Sequence, residues 1–192
     1  TQAVGKMPVS FDGIDTMSIA PHKFYGLNGC GILVKRKGVI LEPLIHGGAS
    51  TTIYRSGTPA LALAASMETA LQLALEQLPK RQAVVQAWNN LLRERLSAYP
   101  EVRINSPKQA IPHILNLSVR GVKGAAFQQA LDAKGVCVSV KSACSVENTP
   151  SRAVFAVSHD RKTAMSSWRI SLSHLTTQND IDGFLSAFEA VS

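Results

Sequence analysis

The amino-acid sequence predicts an α/β fold, and three observations support that prediction. Short apolar runs of strand length alternate with longer stretches whose apolar residues recur at helical spacing. Glycine, proline and polar clusters separate most of these segments. Hydrophobic residues make up 45% and charged residues 17% of the 192 residues, which excludes a disordered or fibrous chain.

The first part of the sequence predicts short buried strands joined by loops. Met17 with Ile19, and later residues 31–34, form the apolar runs that buried strands show. Residues 21–29 between them are rich in glycine and polar side chains, which is typical of a turn. Residues 46–59 form a second loop region with the same character.

A helical period begins near Pro59. Proline suits the first turn of a helix, and Thr58 before it is the candidate N-cap. Apolar residues at helical spacing continue until Pro79, which kinks or ends the helix. Residues 84–96 carry a second amphipathic face, and Pro100 stops that helix.

The rest of the sequence alternates strands with helices. Thr177 lies three residues before Asp180, a spacing close to that of a capping box at the start of the last helix. The predicted strands are Val102–Ile104, Ile114–Val119, residues 136–140 and residues 168–172, and the predicted helices are residues 125–134 and residues 180–191.

We expect two regions, residues 1–78 and residues 79–192, with a boundary near Pro79. Loops and buried strands dominate the first region, whereas the second reads as a compact α/β unit with a core sufficient to fold. The sequence opens on Thr1 without a start methionine, as if inside an element. We therefore expect a fragment or a processed chain whose first region relies on missing neighbours.

Charge and cysteine usage favour a cytoplasmic protein without nucleic-acid or membrane partners. The formal net charge is +7, but Lys35-Arg36-Lys37 is the one basic run and is typical of a solvated loop. Three cysteines at irregular spacing make no disulfide framework. Apolar runs fall short of the roughly 20 residues of a membrane span, and no export leader opens the sequence.

Two loops contain candidate ligand-binding residues. Lys23 follows a buried run and lies beside His22, so it is either a surface loop lysine or an amine able to form a Schiff base. The turn of residues 55–58 offers a guanidinium, hydroxyls and amides before a helix, a combination that holds phosphate. Such turns are also common without a ligand.

The second half contains a candidate thiol and an unusual arginine. Cys144 lies among small polar residues near Lys141, so we expect an exposed nucleophile, with a metal ligand as the weaker option. Cys137 and Cys30 are interpreted as packing residues. Arg169 lies inside an apolar strand and needs an anionic partner, either from the protein or from a substrate carboxylate.

In this order, the motifs resemble those of the cysteine desulfurases of the NifS/IscS type. The residues that carry the resemblance are the opening Thr1-Gln2-Ala3-Val4-Gly5-Lys6, His22-Lys23, Arg55-Ser56-Gly57-Thr58 and Ser142-Ala143-Cys144-Ser145. These enzymes belong to the class V aminotransferases and use pyridoxal 5'-phosphate. The resemblance implies the carboxyl-terminal half of fold type I. Residues 1–78 would be the remnant of the large cofactor-binding domain with its linking helix, and residues 79–192 the small α/β domain.

The resemblance also implies roles for cofactor-binding residues. Gln2 would hydrogen-bond the phenolic oxygen of the cofactor, and His22 would contact its phosphate. Lys23 would be the Schiff-base lysine. Thr58 would reach the phosphate bound in the other subunit of a homodimer.

For the reaction itself, the resemblance makes Cys144 the sulfur-accepting thiol and Arg169 the group that grips the substrate carboxylate. L-Cysteine would become L-alanine, and a persulfide would pass to an acceptor protein for iron–sulfur clusters or tRNA thiolation. No metal is implied.

The sequence departs from the family pattern in several places. Ala20 stands where the family has a phosphate-binding serine, and Lys141 replaces a glycine of the cysteine loop. The first half of the family's sequence is absent, so we expect the isolated fragment to be inactive. Two alternatives stay open: another fold type I enzyme, such as a selenocysteine lyase or an aminotransferase, and a non-catalytic fragment without cofactor. An aminotransferase needs no thiol, which argues against it.

Overall fold

The computed structural model describes residues 1–48, 52–141 and 149–192. These residues form two compact units, Thr1–Pro79 and Lys80–Ser192, which we call the first and the second unit. The assignment of the first unit to a larger cofactor-binding domain stays a prediction. No helix among the described residues is long and apolar enough to cross a bilayer.

The first unit is built around a small hairpin-like sheet. Strands β1 (Thr16–Ile19) and β2 (Ile32–Lys35) pair antiparallel. A 3₁₀ turn, Pro21–Phe24, follows β1, and helix α1 (Leu61–Glu76) contacts it. The buried cluster that joins these elements consists of Val4, Ile19, Phe24, Ala70 and Ala74.

Helix α1 begins later than the sequence predicts. Its N-cap is Ala60, which makes no side-chain cap, so the assignment of Thr58 as the cap is wrong. The hydroxyl of Thr58 precedes the cap by two residues and is out of register with the first-turn amides. Helix α2 (Leu78–Ser97) starts after a break at Gln77, which puts Pro79 in its first turn, where a missing N–H costs nothing.

The second unit contains an antiparallel sheet covered by helices. Its strand order is β3 (Val102–Ile104), β4 (Ile114–Val119) and β5 (Ser167–Ser171). The predicted bounds of β3 and β4 are confirmed. The remaining helices are α3 (Gly124–Asp132), α4 (Arg152–Ser158), α5 (Arg161–Ser166) and α6 (Gln178–Glu189).

Aromatic rings fill the core of the second unit. Trp168 on β5 is fully buried, and Phe127 of α3 stacks on it with ring centroids 5.0 Å apart. Phe184 and Phe188 of α6 pack against the same indole. Because these rings come from a strand and two helices, the sheet and its helical cover form one apolar core.

The capping box of the last helix is confirmed. Thr177 Oγ1 accepts a hydrogen bond from Asp180 N at 3.2 Å, and Asp180 Oδ2 accepts one from Thr177 N at 2.8 Å. Donation by the Thr177 backbone and then by its hydroxyl lowers the pKa of Asp180. The box therefore satisfies amides that the helix start leaves unpaired.

The predicted strand over residues 136–140 is wrong. After α3 the chain turns at Gly135, whose φ is 79°, and only Ser139 bridges to β5, opposite Arg169. Cys137 is consequently exposed, so its assignment as a packing residue is wrong. Cys30 is half-buried and lies outside the buried cluster of the first unit rather than in the core.

Candidate functional site

Lys23 lies on the 3₁₀ turn Pro21–Phe24, which we call the Lys23 turn. Pro21 and Phe24 are buried, whereas His22 and Lys23 point their side chains to the exposed side. Two backbone bonds fix the turn: Lys23 N donates to Ala20 O at 3.0 Å, and Gly26 N donates to Pro21 O at 2.9 Å. Apolar anchors at both ends therefore hold an amine and an imidazole at the surface.

Close backbone packing leaves the Lys23 turn little freedom. A Cβ on Gly5 would lie 2.9 Å from Phe24 Cβ and 3.2 Å from Ala74 Cβ, and Gly5 has a φ of 75° that favours glycine. A Cβ on Gly26 would lie 2.8 Å from Pro21 Cβ. Only glycine permits these approaches, so the turn is wedged between the start of the chain and α1.

Lys6 connects the start of the chain to the Lys23 turn. Its Nζ donates to Lys23 O at 2.9 Å and to Gln2 O at 3.3 Å. Burial, followed by the positive charge of Lys23, lowers the pKa of Lys6. Sequence reasoning gave Lys6 no role, although it lies in the opening motif that carries the resemblance. A lysine six residues into a motif gives no sign of which carbonyls it will reach.

The loop containing Thr58 is fixed by backbone contacts to an earlier loop. Ser56 Oγ donates to His46 O at 2.9 Å, and Ser56 N donates to Ile45 O at 3.3 Å. Arg55 Nε donates to Ser56 O, which folds the guanidinium back over its own turn.

Gln2, His22, Lys23 and Thr58 are all exposed side chains of the first unit. Lys6 joins the backbones of Gln2 and Lys23, and no contact of this kind links Thr58 to them among the described residues.

Arg169 lines a cationic cleft in the second unit, which we call the Arg169 cleft. The cleft has a volume of about 870 Å³. Its cations are Arg103, Lys141, Arg152 and Arg169, and no described carboxylate lines it. Arg169 Nε is buried without a hydrogen-bond partner among the described residues. Both partners that the sequence leaves open for Arg169, an external anion and a protein carboxylate, stay predictions.

Amide side chains form the floor beside Arg169. Asn116 on β4 lies directly opposite Arg169 in the sheet. Asn105 Nδ2 donates to Asn116 Oδ1 at 2.9 Å and to Ser118 Oγ at 2.8 Å. Sequence reasoning missed this network, although Asn116 and Ser118 stand two apart in an apolar strand and so share one face.

Cys144 and the rest of its motif lie in residues 142–148, outside the described residues. On either side of that segment, Lys141 Nζ donates to Thr149 O at 2.9 Å and to Thr149 Oγ1 at 3.1 Å. The lysine that departs from the family's glycine thus links the two flanks of the segment. The described residues contain no group of three or more His, Cys, Asp or Glu side chains that is able to hold a metal ion.

Comparison with known proteins shows which family model and which relatives the chain resembles. Residues 1–184 match the family model described as aminotransferase class V. The chain is 35% identical over 195 residues to a cysteine desulfurase IscS of Dictyoglomus turgidum, and that alignment covers 99% of the chain and 50% of the relative. It is 37% identical over 194 residues to an IscS-like cysteine desulfurase of Mycobacterium tuberculosis, covering 96% of the chain and 48% of that protein.

A solved structure supports the same conclusion about the fold. A NifS-like protein superimposes with a TM-score of 0.87 at 30% identity, covering 99% of this chain and 50% of the other. The predicted fold class, part of pyridoxal-phosphate-dependent fold type I, is confirmed. The chain spans about half the length of the curated relatives described here.

Proposed function

Because the chain belongs to the class V aminotransferase family, we propose that it is part of a cysteine desulfurase. The reaction would convert L-cysteine to L-alanine and form a protein persulfide. The observation that carries the proposal is the buried, unpartnered Nε of Arg169 in a cleft without described carboxylates. This guanidinium is suited to the carboxylate of an amino-acid substrate. The names of the relatives, cysteine desulfurases at 35% and 37% identity, supply the reaction type.

The residues of the first unit fit pyridoxal 5'-phosphate. Lys23 offers an exposed amine on an anchored turn, which suits an aldehyde. His22 beside it and Gln2 offer polar groups for the phosphate and for the phenolic oxygen. Thr58 would contact the phosphate in the partner subunit of a homodimer. When bound, the cofactor supplies an acceptor for the electron pair left by proton loss from the substrate.

The chain's own residues then divide the remaining work. Arg169 binds the substrate carboxylate and fixes the orientation of the substrate, since two parallel bonds to a guanidinium leave little rotation. Lys23 would hold the cofactor through its amine and, when that amine is free, would move a proton at its Nζ. An exposed amine can do both without a rearrangement of the Lys23 turn.

Cys144 would carry the sulfur. Its thiolate attacks the substrate sulfur, so that an S–S bond forms and the C–S bond breaks. The electron pair of the broken bond stays with the substrate carbon, which takes up a proton and becomes the methyl group of alanine. The persulfide on Cys144 is then available to an acceptor protein. We assign the reaction to the cytoplasm, because three irregularly spaced cysteines suit a reducing compartment.

This chain has about half the length of its relatives. The proposed activity is that of a whole protein of their length. We propose that the 192 residues alone bind the cofactor weakly and do not turn over. Equilibration of the isolated chain with pyridoxal phosphate, followed by absorbance spectroscopy, tests this statement. Tight binding with a native-like visible band would contradict it.

The central experiment measures alanine and sulfide released from L-cysteine by the whole protein. Lys23→Ala is expected to abolish both the visible absorbance band and turnover, whereas Lys37→Ala, an exposed lysine of the same unit, leaves both unchanged. Persistence of the band in Lys23→Ala would refute the assignment. A keto acid product in place of alanine would identify an aminotransferase.

A second pair of variants tests the thiol. Cys144→Ser is expected to keep the absorbance band and to lose persulfide formation, measured by mass spectrometry of the alkylated protein. Cys137→Ser is the matched control, because Cys137 is exposed in the same unit. Normal sulfur transfer by Cys144→Ser would move the thiol role to another residue.

A further inference from the structure

We propose that Lys6 is a positioning residue that holds Lys23 and Gln2 at a fixed separation through their backbone carbonyls. The inference rests on the proposed function, since it concerns the two residues expected to bind neighbouring groups of one cofactor, its phenolic oxygen and its aldehyde. Lys6 itself would not touch the cofactor. Its contribution would be the geometry of the residues that do.

The contacts of Lys6 are the first step of the argument. One ammonium donates to carbonyls that are 21 residues apart in sequence, Lys23 O at 2.9 Å and Gln2 O at 3.3 Å. Hydrogen bonds from a charged donor are stronger than neutral ones. No backbone hydrogen bond joins the segments of Gln2 and Lys23 among the described residues. The lysine therefore replaces the strand pairing that would otherwise hold two such segments in register.

The packing around Lys6 makes this link stiff. Residues 3–7 form a turn in which Lys6 N and Met7 N both donate to Ala3 O. Val4 is buried, and Gly5 presses on Phe24 and Ala74 with no room for a side chain. Lys6 thus extends from a backbone that is already wedged against the Lys23 turn. A link between two fixed segments transmits position, whereas a link between loose ones does not.

Among the described charged residues near the Lys23 turn, Lys6 is the one whose side chain donates to both backbone segments. His22 lies on the same turn and is exposed. Helix α1, which packs against the turn, contributes Ala70 and Ala74 to the interface, and its two carboxylates, Glu68 and Glu76, are exposed. Burial, followed by the positive charge of Lys23, lowers the pKa of Lys6, as expected for an amine packed close to the Lys23 turn.

The test measures covalent capture of the cofactor at Lys23, independently of turnover. The whole protein is freed of cofactor and incubated with pyridoxal phosphate. The C=N bond that forms with loss of water is reduced by borohydride to a stable secondary amine, and the peptides are mapped by mass spectrometry. The other lysine peptides serve as internal standards. The measured quantity is the initial rate of labelling at Lys23 relative to those standards.

Lys6→Met is expected to slow capture at Lys23 roughly tenfold, within the hundredfold that a displacement of about 1 Å can cost. Lys6→Arg retains charged donors on a long side chain and is expected to restore most of the rate. Lys35→Met is the matched control, because Lys35 Nζ also donates to two backbone carbonyls, those of Arg36 and Val39, in the same unit. This control is expected to leave the rate unchanged.

A second variant distinguishes a positioning role of Lys6 from a contribution to stability alone. Ile19→Val removes one methylene from the buried cluster of the same unit and leaves Gly5 and the Lys6 ammonium unchanged, so it reports how much capture depends on stability alone. The inference is overturned if Lys6→Met captures at the wild-type rate, or if its rate loss follows its loss of thermal stability along the line set by Ile19→Val. Lys6→Gln replaces Lys6→Met if the latter does not fold. Even labelling of all lysines in the wild-type protein would instead defeat the proposed function.

Discussion

The two units differ in how much of their apolar surface they bury themselves. In the second unit, a stack of aromatic rings around Trp168 is closed by leucines of α2, β4 and α6. In the first unit, five residues form the buried cluster, while Ile40, Leu44 and Ile53 are 93%, 96% and 73% exposed. Apolar burial is the main stabilising term in folding. The second unit therefore contains its own apolar core, whereas apolar packing in the first unit is concentrated around the Lys23 turn.

The largest expected difference between the units is in amide hydrogen exchange. Amides of β4, β5 and α6 are expected to exchange at least about 10³-fold more slowly than those of residues 38–48, because core amides open only by global unfolding. Exchange followed by mass spectrometry on the 192-residue chain measures this ratio. Amides of the Lys23 turn are expected to fall between the two groups. Equal exchange rates across both units would contradict the conclusion that the second unit has the more stable core.

Removal of the central indole tests the source of stability in the second unit. Trp168→Ala is expected to lower the free energy of unfolding by about 3–5 kcal/mol, because it removes a fully buried side chain and leaves a large cavity among the rings that pack against it. Phe155→Ala is the control, since Phe155 lies in the same unit and is 45% exposed. Denaturation followed by fluorescence and circular dichroism measures both variants. A similar loss in the two would mean that the aromatic stack does not carry the stability.

Local sequence patterns predicted some elements of each unit and missed others: the apolar runs at residues 17–19 and 31–34 lie in β1 and β2, whereas α4 and α5 of the second unit were not predicted. β3 and β4 were predicted with their observed bounds because each alternates or runs apolar between clear turn residues. Residues 136–140 misled the same reasoning: an apolar run is a strand only where a partner strand lies alongside, and here one bridge is formed, at Ser139. Pairing is a tertiary property that a run of valines does not encode.

The candidate site was predictable in part. Arg169 stood out because a charged side chain contradicts an apolar strand, and Lys23 because it follows a buried run and lies beside His22; the roles of these residues stay predictions. Lys6 and Asn105 did not stand out, since each acts by reaching atoms distant in the sequence: Lys23 O for the first, and Asn116 Oδ1 for the second. Such contacts depend on how turns and strands are assembled, which sequence spacing does not specify.

Two glycines of the second unit differ in the space around them and test how closely its helices pack. Gly124 begins α3, and a Cβ there would collide with the backbone carbonyl of Ser167 on β5. Gly124→Ala is therefore expected to cost about 1–3 kcal/mol, the usual result of overpacking. Gly183→Ala, inside α6 with open space around it, is expected to stabilise by about 0.5–1 kcal/mol. Opposite signs in chemical denaturation would confirm that α3 lies at minimal distance from the sheet, and equal signs would contradict it.

The smallest expected effect is the pH dependence that Asp180 gives to the second unit. Bonds from the Thr177 backbone and hydroxyl lower the pKa of Asp180 from its ordinary value of 3.8. A carboxyl whose pKa is lower in the folded than in the unfolded state contributes stability above the unfolded value and loses it as the pH falls through the folded value. The difference in unfolding midpoint between the wild type and Asp180→Asn should thus be constant near neutral pH and shrink below pH 3.8. Asp182→Asn replaces the next carboxylate of the same helix and leaves the Thr177–Asp180 box intact, so it is the matched control. A difference between Asp180→Asn and the wild type that persists undiminished in acid would show that the amide-for-carboxylate exchange acts through helix propensity or packing, and not through the charge held by the Thr177 donors.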